Sequence, residues 1–186
     1  MSTLSNVNDQ VVPETKNWTW VLERRCDDCG FDASTFDASR TGSAISDLAR
    51  RWQYVLGRSD VGARPRAGMW SPLEYGCHVR DVFRLFDERL TLMMSADDPH
   101  FANWDQDATA IADDYASQDA QIVAAQLVEA AAVLAERFDA VTADDWGRRG
   151  FRSDDSAFTV DSLGRYLMHD PVHHLWDVGA EVPTYI

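Results

Sequence analysis

No stretch of this chain approaches the roughly 18 consecutive apolar residues that a membrane-crossing helix needs. The first sixteen residues, Met1 to Lys16, are polar and lack the apolar centre of a secretory signal, so a cytoplasmic protein is expected. Cationic side chains are scarce: 17 Lys and Arg stand against 31 Asp and Glu, a formal charge of −14. Nucleic-acid binding needs clustered cations to neutralise phosphates, and an anionic bilayer attracts the same groups, so neither is an expected partner. Three cysteines, an odd number, suit a reducing compartment better than a disulfide framework. Internal repeats and low-complexity tracts are missing, and strand signals are nearly absent. No Glu-x-x-His occurs, which disfavours a di-iron carboxylate bundle built from two such motifs and further inward glutamates.

What is present is helical periodicity. Ile45, Leu48, Ala49, Trp52, Val55 and Leu56 follow the i, i+3, i+4, i+7 rule and predict a helix from about Ser43 to Arg58. A second helix is expected from about Pro72 to Met94. Ser71 can cap it, Pro72 suits its first position, and Glu74 completes a capping box. Val123, Leu127, Ala130, Leu134, Phe138 and Val141 alternate by four and three, predicting a third helix from about Asp119 to Val141. A fourth is expected from about Val160 to Val182, with Thr159 as its cap.

Residues 1–16 read as a flexible tail and 17–186 as one domain. Within it, residues 17–40 read as an irregular segment packed onto the helices. The acidic stretch Asp97 to Ser117 contains Trp104 and Tyr115, so part of it is expected to pack or form a short helix. Two long connections suit a bundle with crossovers rather than tight hairpins.

His169 and His173 are four residues apart, which places both rings on one helical face with Cβ atoms roughly 5–6 Å apart. One metal can bridge such a pair. A helical wheel centred on His169 gathers Ser162, Tyr166, His173, Trp176 and Ala180 on a mostly apolar, inward face. His174 lies about 140° away and is not expected to share the metal. His78 sits at the flank of the second helix's apolar stripe. Together His78, His169 and His173 would give three protein ligands and an open position, the arrangement of a catalytic site. The plain alternative is that an inward histidine is a satisfied core residue. His100, beside Pro99, reads as a solvated loop residue.

Cys26-x-x-Cys29 is half of a zinc site or a redox pair. A structural zinc would need a second ligand pair, and none is evident in the sequence. A structural or incidental role is therefore the simpler reading. Cys77, about 100° from His78 on its helix, reads as a small core residue.

Several segments resemble the DinB-like, YfiT-like bundle superfamily. The stretch Leu167-Met-His-Asp-Pro-Val-His-His-Leu-Trp-Asp-Val178 resembles its last-helix motif, and Glu74-Tyr-Gly-Cys-His-Val-Arg-Asp81 fits its second helix. Trp18-Thr-Trp-Val-Leu-Glu-Arg-Arg-Cys-Asp-Asp-Cys-Gly-Phe-Asp32 and Asn103-Trp-Asp-Gln-Asp-Ala108 look like an actinobacterial branch. The resemblance covers nearly the whole chain. It implies an all-α four-helix bundle of up-down-down-up topology, often dimeric, with zinc or nickel held by a second-helix histidine and an i, i+4 pair from the last helix. Some relatives are S-transferases or isomerases that use mycothiol or bacillithiol.

The expected function is thus a divalent-metal-dependent thiol S-transferase acting on small electrophiles. Asp81 and Asp177 are the expected partners of the metal-ligating rings, Asp177 reaching His173. Tyr166 and Arg165 are the candidates for orienting substrate. A hydrolase with metal-activated water is the first alternative. A non-catalytic, metal-stabilised bundle is the second, with a closed site and Glu74 as a fourth ligand. Pro171, between the paired histidines, removes an amide that would bond to Leu167. It is expected to kink the helix or to mark a new start near His169.

Overall fold

The computed structural model describes residue 11 and residues 17–185. The tail expected over residues 1–16 therefore lies, Val11 apart, outside the described residues. The capping signals set the helix starts. α1 spans Thr41–Leu56 and α2 spans Pro72–Ser95. At the head of α2 the Glu74 amide donates to Ser71 Oγ at 3.2 Å, and the Ser71 amide donates to the Glu74 carboxylate at 2.8 Å. Both arms of the capping box are present. Arg64 also donates to Glu74, at 3.0 and 2.5 Å, so this carboxylate is fully engaged in holding the helix entrance. α4 spans Ala120–Asp139 and α5 spans Val160–Asp177, the latter opened by reciprocal bonds between Thr159 and Ser162.

These four helices bury one core. Ile45, Leu48 and Trp52 of α1, Phe83 and Leu90 of α2, Leu127 and Leu134 of α4, and Leu163, Leu167 and Met168 of α5 are all sealed from solvent. α4 packs along both α1 and α2, and α5 lies against the same two helices. The α1–α4 contact is close enough that a Cβ added at Gly42 would sit 2.8 Å from the Ala135 carbonyl oxygen.

The connection from α2 to α4 holds a short helix, α3 (Gln106–Ala112), capped by Asp105, and the buried ring of Tyr115. A small sheet was not expected. β1 (His100–Phe101) runs parallel to β2 (Arg149–Arg152), which pairs antiparallel with β3 (Ala157–Thr159). It clips the α2–α3 connection to the α4–α5 connection. Strands of two to four residues are too short to show an alternating pattern. His100 remains exposed on β1, stacked 5.3 Å from Phe151.

α5 runs unbroken through Pro171, so the expected restart near His169 does not occur. The Trp52 indole donates to the Pro171 carbonyl at 3.2 Å and braces the helix there. The helix ends at Asp177, five residues before the sequence-based expectation. Gly179, at φ +61°, closes it in a Schellman turn: its amide donates to Trp176 at 3.0 Å, and the Ala180 amide donates to Leu175 at 2.8 Å.

Residues 17–40 wrap α5 with two short 3-10 turns, Trp18–Leu22 and Ala38–Arg40. They insert Val21, Cys26, Phe31 and Phe36 into the core. Among the described residues, no helix is long and apolar enough to cross a membrane.

Candidate metal centre

Two groups of ligating side chains meet along α5. In the first, donor atoms of His78, Asp170 and His174 lie within 4.8 Å of one another. In the second, donors of Cys26, Cys29, His169 and His173 do so. The expected set of His78, His169 and His173 is therefore divided. His78 of α2 meets the neighbouring pair, Asp170 and His174, which has the same four-residue spacing. The wheel centred on His169 misjudged this face because α5 is covered on nearly every side. α1 and α2 cover part of it, and the N-terminal segment covers His169 and His173.

Each ring of the first group is held firmly. His78 is fully buried and stacks on Trp104 at 5.2 Å and 11°, with Trp70 at 5.4 Å. Trp104 is itself fixed by donating to Thr109 of α3 at 2.8 Å. His78 Nε2 stands 3.2 and 3.3 Å from the two Asp170 carboxylate oxygens. His174 Nε2 lies 3.8 Å from Asp170 Oδ1. Its Nδ1 lies 2.7 Å from Asp177 Oδ2, and Tyr75 packs on the ring at 4.7 Å. Asp177 thus orients His174, three residues away, rather than His173 as expected.

The donor set suits a divalent ion. Two imidazoles and one carboxylate are a known three-ligand arrangement for catalytic zinc, with ligand bonds of about 2.0–2.2 Å. Ligands at that radius and a tetrahedral angle stand about 3.3–3.5 Å apart, close to the spacing of His78 Nε2 and Asp170. A carboxylate bonded to the far nitrogen of a ligating ring fixes its tautomer, as Asp177 does for His174. Burial would raise the Asp170 carboxyl, but the flanking His78 and His174 rings hold it well below the usual carboxylate range. It presents a negative charge to anything cationic at the site.

Asp170 and His174 of this group, with His169 and His173 of the second, line a cavity of about 1020 Å³. Trp70, Trp104, Tyr166 and Trp176 also line it, as do Arg89 and Arg152. Arg89 is buried, and among the described residues it has no carboxylate partner. One amino group donates to the Ala102 carbonyl at 3.1 Å, and its Nε is unbonded. Burial, then the neighbouring Arg152 charge, lower its pKa to about 10, so it remains a cation at neutral pH. Arg152 is paired with Asp154 and donates to the Tyr166 hydroxyl at 3.3 Å.

Residues 44–178 match the DinB superfamily. The chain belongs to the DinB superfamily. Among solved structures, this DinB-superfamily chain is similar to YfiT from Bacillus subtilis, described as a probable metal-dependent hydrolase with an unusual four-helix bundle topology. The two share 17% identity and a TM-score of 0.67 over 77% of this chain and 89% of that one. The likeness bears out the bundle fold expected from sequence. No curated protein matches the chain.

Other expected site residues of this DinB-superfamily chain stand elsewhere. Arg165 donates to the carbonyls of Ala33, at 2.5 Å, and Phe36, and pairs with Asp161. It ties the N-terminal segment to α5 and is not free to orient a substrate. Asp81 accepts from Arg80 at 2.9 Å and from the Tyr115 hydroxyl at 2.5 Å, supporting the α2–α4 connection rather than a ligating ring. Glu74 is engaged by Arg64 and Ser71, so it is not a fourth ligand. Trp176, placed on the inward face by the wheel, is 44% exposed at the cavity. Cys77 is buried, as expected of a core residue. Tyr166 does line the cavity.

Proposed function

We propose that the chain is a metal-dependent enzyme that transfers a low-molecular-weight thiol of the mycothiol type to a small electrophile bearing an anionic group. Its ion, zinc or nickel, would be held by His78, Asp170 and His174. The observation that carries this reading is the convergence of His78, Asp170 and His174, of which Asp170 and His174 line a cavity of about 1020 Å³. That volume is at the upper end of single-ligand sites, which supports a thiol cofactor and its acceptor together. An ion there supplies the Lewis acidity that takes the proton from a thiol.

The protein's own groups account for the rest. Asp177 holds His174 in the ligating tautomer, and Trp104 and Trp70 keep the His78 ring from rotating. Arg89 offers an unpaired buried cation to an acidic group on the acceptor. Burial of Arg89 lowers the local dielectric, which strengthens that attraction. The thiol's S–H bond and the electrophile's bond to its leaving group break, a C–S bond forms, and the products are a thioether, the departed leaving group and one proton.

Hydrolysis is the second reading, favoured by the description given to YfiT. Electrophile consumption by the metal-loaded protein, with and without added mycothiol, separates the two. Consumption that requires the thiol supports transfer. Equal consumption in its absence overturns transfer in favour of water. Full turnover after replacing His78, Asp170 and His174 together with alanine would overturn both.

A further inference from the structure

The second ligand group, whose His169 and His173 border the same cavity, has the composition of a closed site. Cys26, Cys29, His169 and His173 are 1%, 8%, 4% and 8% exposed. Both cysteines are free thiols, although the segment brings them together. The turn that does so is tightly specified. Gly30, at φ +77°, donates its amide to the Cys26 carbonyl at 3.0 Å, and the Cys26 amide donates to Phe31 at 2.8 Å. A side chain at residue 30 would be strained and would crowd Arg25.

The distances carry the argument further. Cys26 Sγ lies 3.6 Å from His173 Nδ1. Tetrahedral zinc, with sulfur at about 2.3 Å and nitrogen at about 2.0–2.1 Å, separates the two donors by about 3.5–3.6 Å. This gap is a thiol–imidazole hydrogen bond, and the same spacing suits two ligands with an ion between them. His169 Nε2 is buried without a hydrogen-bond partner among the described residues. Trp18 packs on both rings, 5.3 Å from His169 and 5.1 Å from His173, and Phe31 lies 6.2 Å from His169. These aromatic rings hold the two imidazoles in place beside the thiols.

We propose that Cys26, Cys29, His169 and His173 bind a structural zinc ion that staples the N-terminal segment to α5. Two thiolates and two imidazoles fill a tetrahedral shell and leave no position for substrate. Soft thiolates favour zinc over magnesium or calcium. Residues 17–40 contain only two short 3-10 turns, so a cross-link supplies order that helical hydrogen bonds do not. Binding converts two thiols into thiolates and releases two protons.

The test uses the full-length protein loaded with zinc and then exposed to a mild chelator to empty the open site. One zinc per chain should remain. Its X-ray absorption spectrum should fit two sulfur and two nitrogen neighbours. Cobalt in its place should give a thiolate-to-cobalt charge-transfer band, lost in Cys26→Ser and in Cys29→Ser. His78→Ala should lower the metal bound before chelation and leave that band intact, so failure of the open site and failure of this one are distinguishable. If the cysteine variants do not fold, the wild-type absorption spectrum decides alone. Retained zinc without sulfur neighbours, or no zinc retained, overturns the proposal. So does alkylation of both thiols at the rate of free cysteine in the zinc-loaded protein.

Discussion

At the residue scale, the side chain with the most to say is Asp177. It touches no substrate, yet its bond to His174 Nδ1 leaves Nε2 turned toward Asp170. Asp177→Ala should weaken metal binding at the open site about ten- to a hundredfold, read by competition with a chromogenic chelator. Arg89 makes a second test. Arg89→Met should raise KM for anionic acceptors about ten- to a hundredfold, the loss of roughly 1.5–3 kcal/mol from one charged hydrogen bond, with little change for neutral ones. Asp81 governs acid sensitivity. Burial would raise its carboxyl, but Arg80, then the Tyr115 hydroxyl, hold it below the usual range. The folded state therefore favours the ionised form. That stabilisation is complete above the ordinary carboxylate pKa near 4 and fades as pH falls through the lower native value. Asp81→Asn should cost about 2–3 kcal/mol at neutral pH, and the gap to wild type should narrow below about pH 4 in urea titrations.

At the element scale, α1 and α4 approach at a glycine. Gly42→Ala would push a methyl group into Asp139 and the Ala135 carbonyl, and should cost about 1–3 kcal/mol by overpacking, seen as a lower melting temperature. The helices themselves were legible from sequence. Ser71 with Glu74, and Thr159, marked two starts to the residue, and the apolar stripes named the core. The far end of α5 was misjudged because Ala180 and Val182 extend its apolar periodicity past Gly179, where the chain turns. The ligand pairing was misread for a related reason. His169 with His173, and Asp170 with His174, share one spacing, so periodicity cannot say which pair faces α2. Asp177 does not resolve the choice, since it lies four residues after His173 and three after His174, and only the fold shows it bonded to His174. Cys26-x-x-Cys29 was visible as half of a site. Its other half lies over 140 residues away on a different element, a distance that only the fold closes.

At the scale of the whole molecule, the net charge of −14 extends into the cavity, where aspartates outnumber Arg66, Arg89 and Arg152 among the lining residues. On the function proposed above, Arg89, which has no carboxylate partner among the described residues, is where a small anionic group would dock. Ligand-linked stability should follow. Adding metal to the stripped protein at about a hundred times its Kd should contribute about 2.7 kcal/mol, a rise of about 5–10 °C in melting temperature for a chain of this size. A melting curve unmoved by zinc or nickel would argue against both ion sites together.

The helix α5 carries its two donor pairs one step out of phase, so each pair is the other turned by about 100°. Sliding that rod by a single position would either set His169 and His173 against His78 and put Met168 and Val172 opposite the two thiols, or set Asp170 and His174 against the thiols and put Pro171 and Leu175 opposite His78. Correct threading of the last helix is thereby verified at two locks, and a misaligned chain cannot open both.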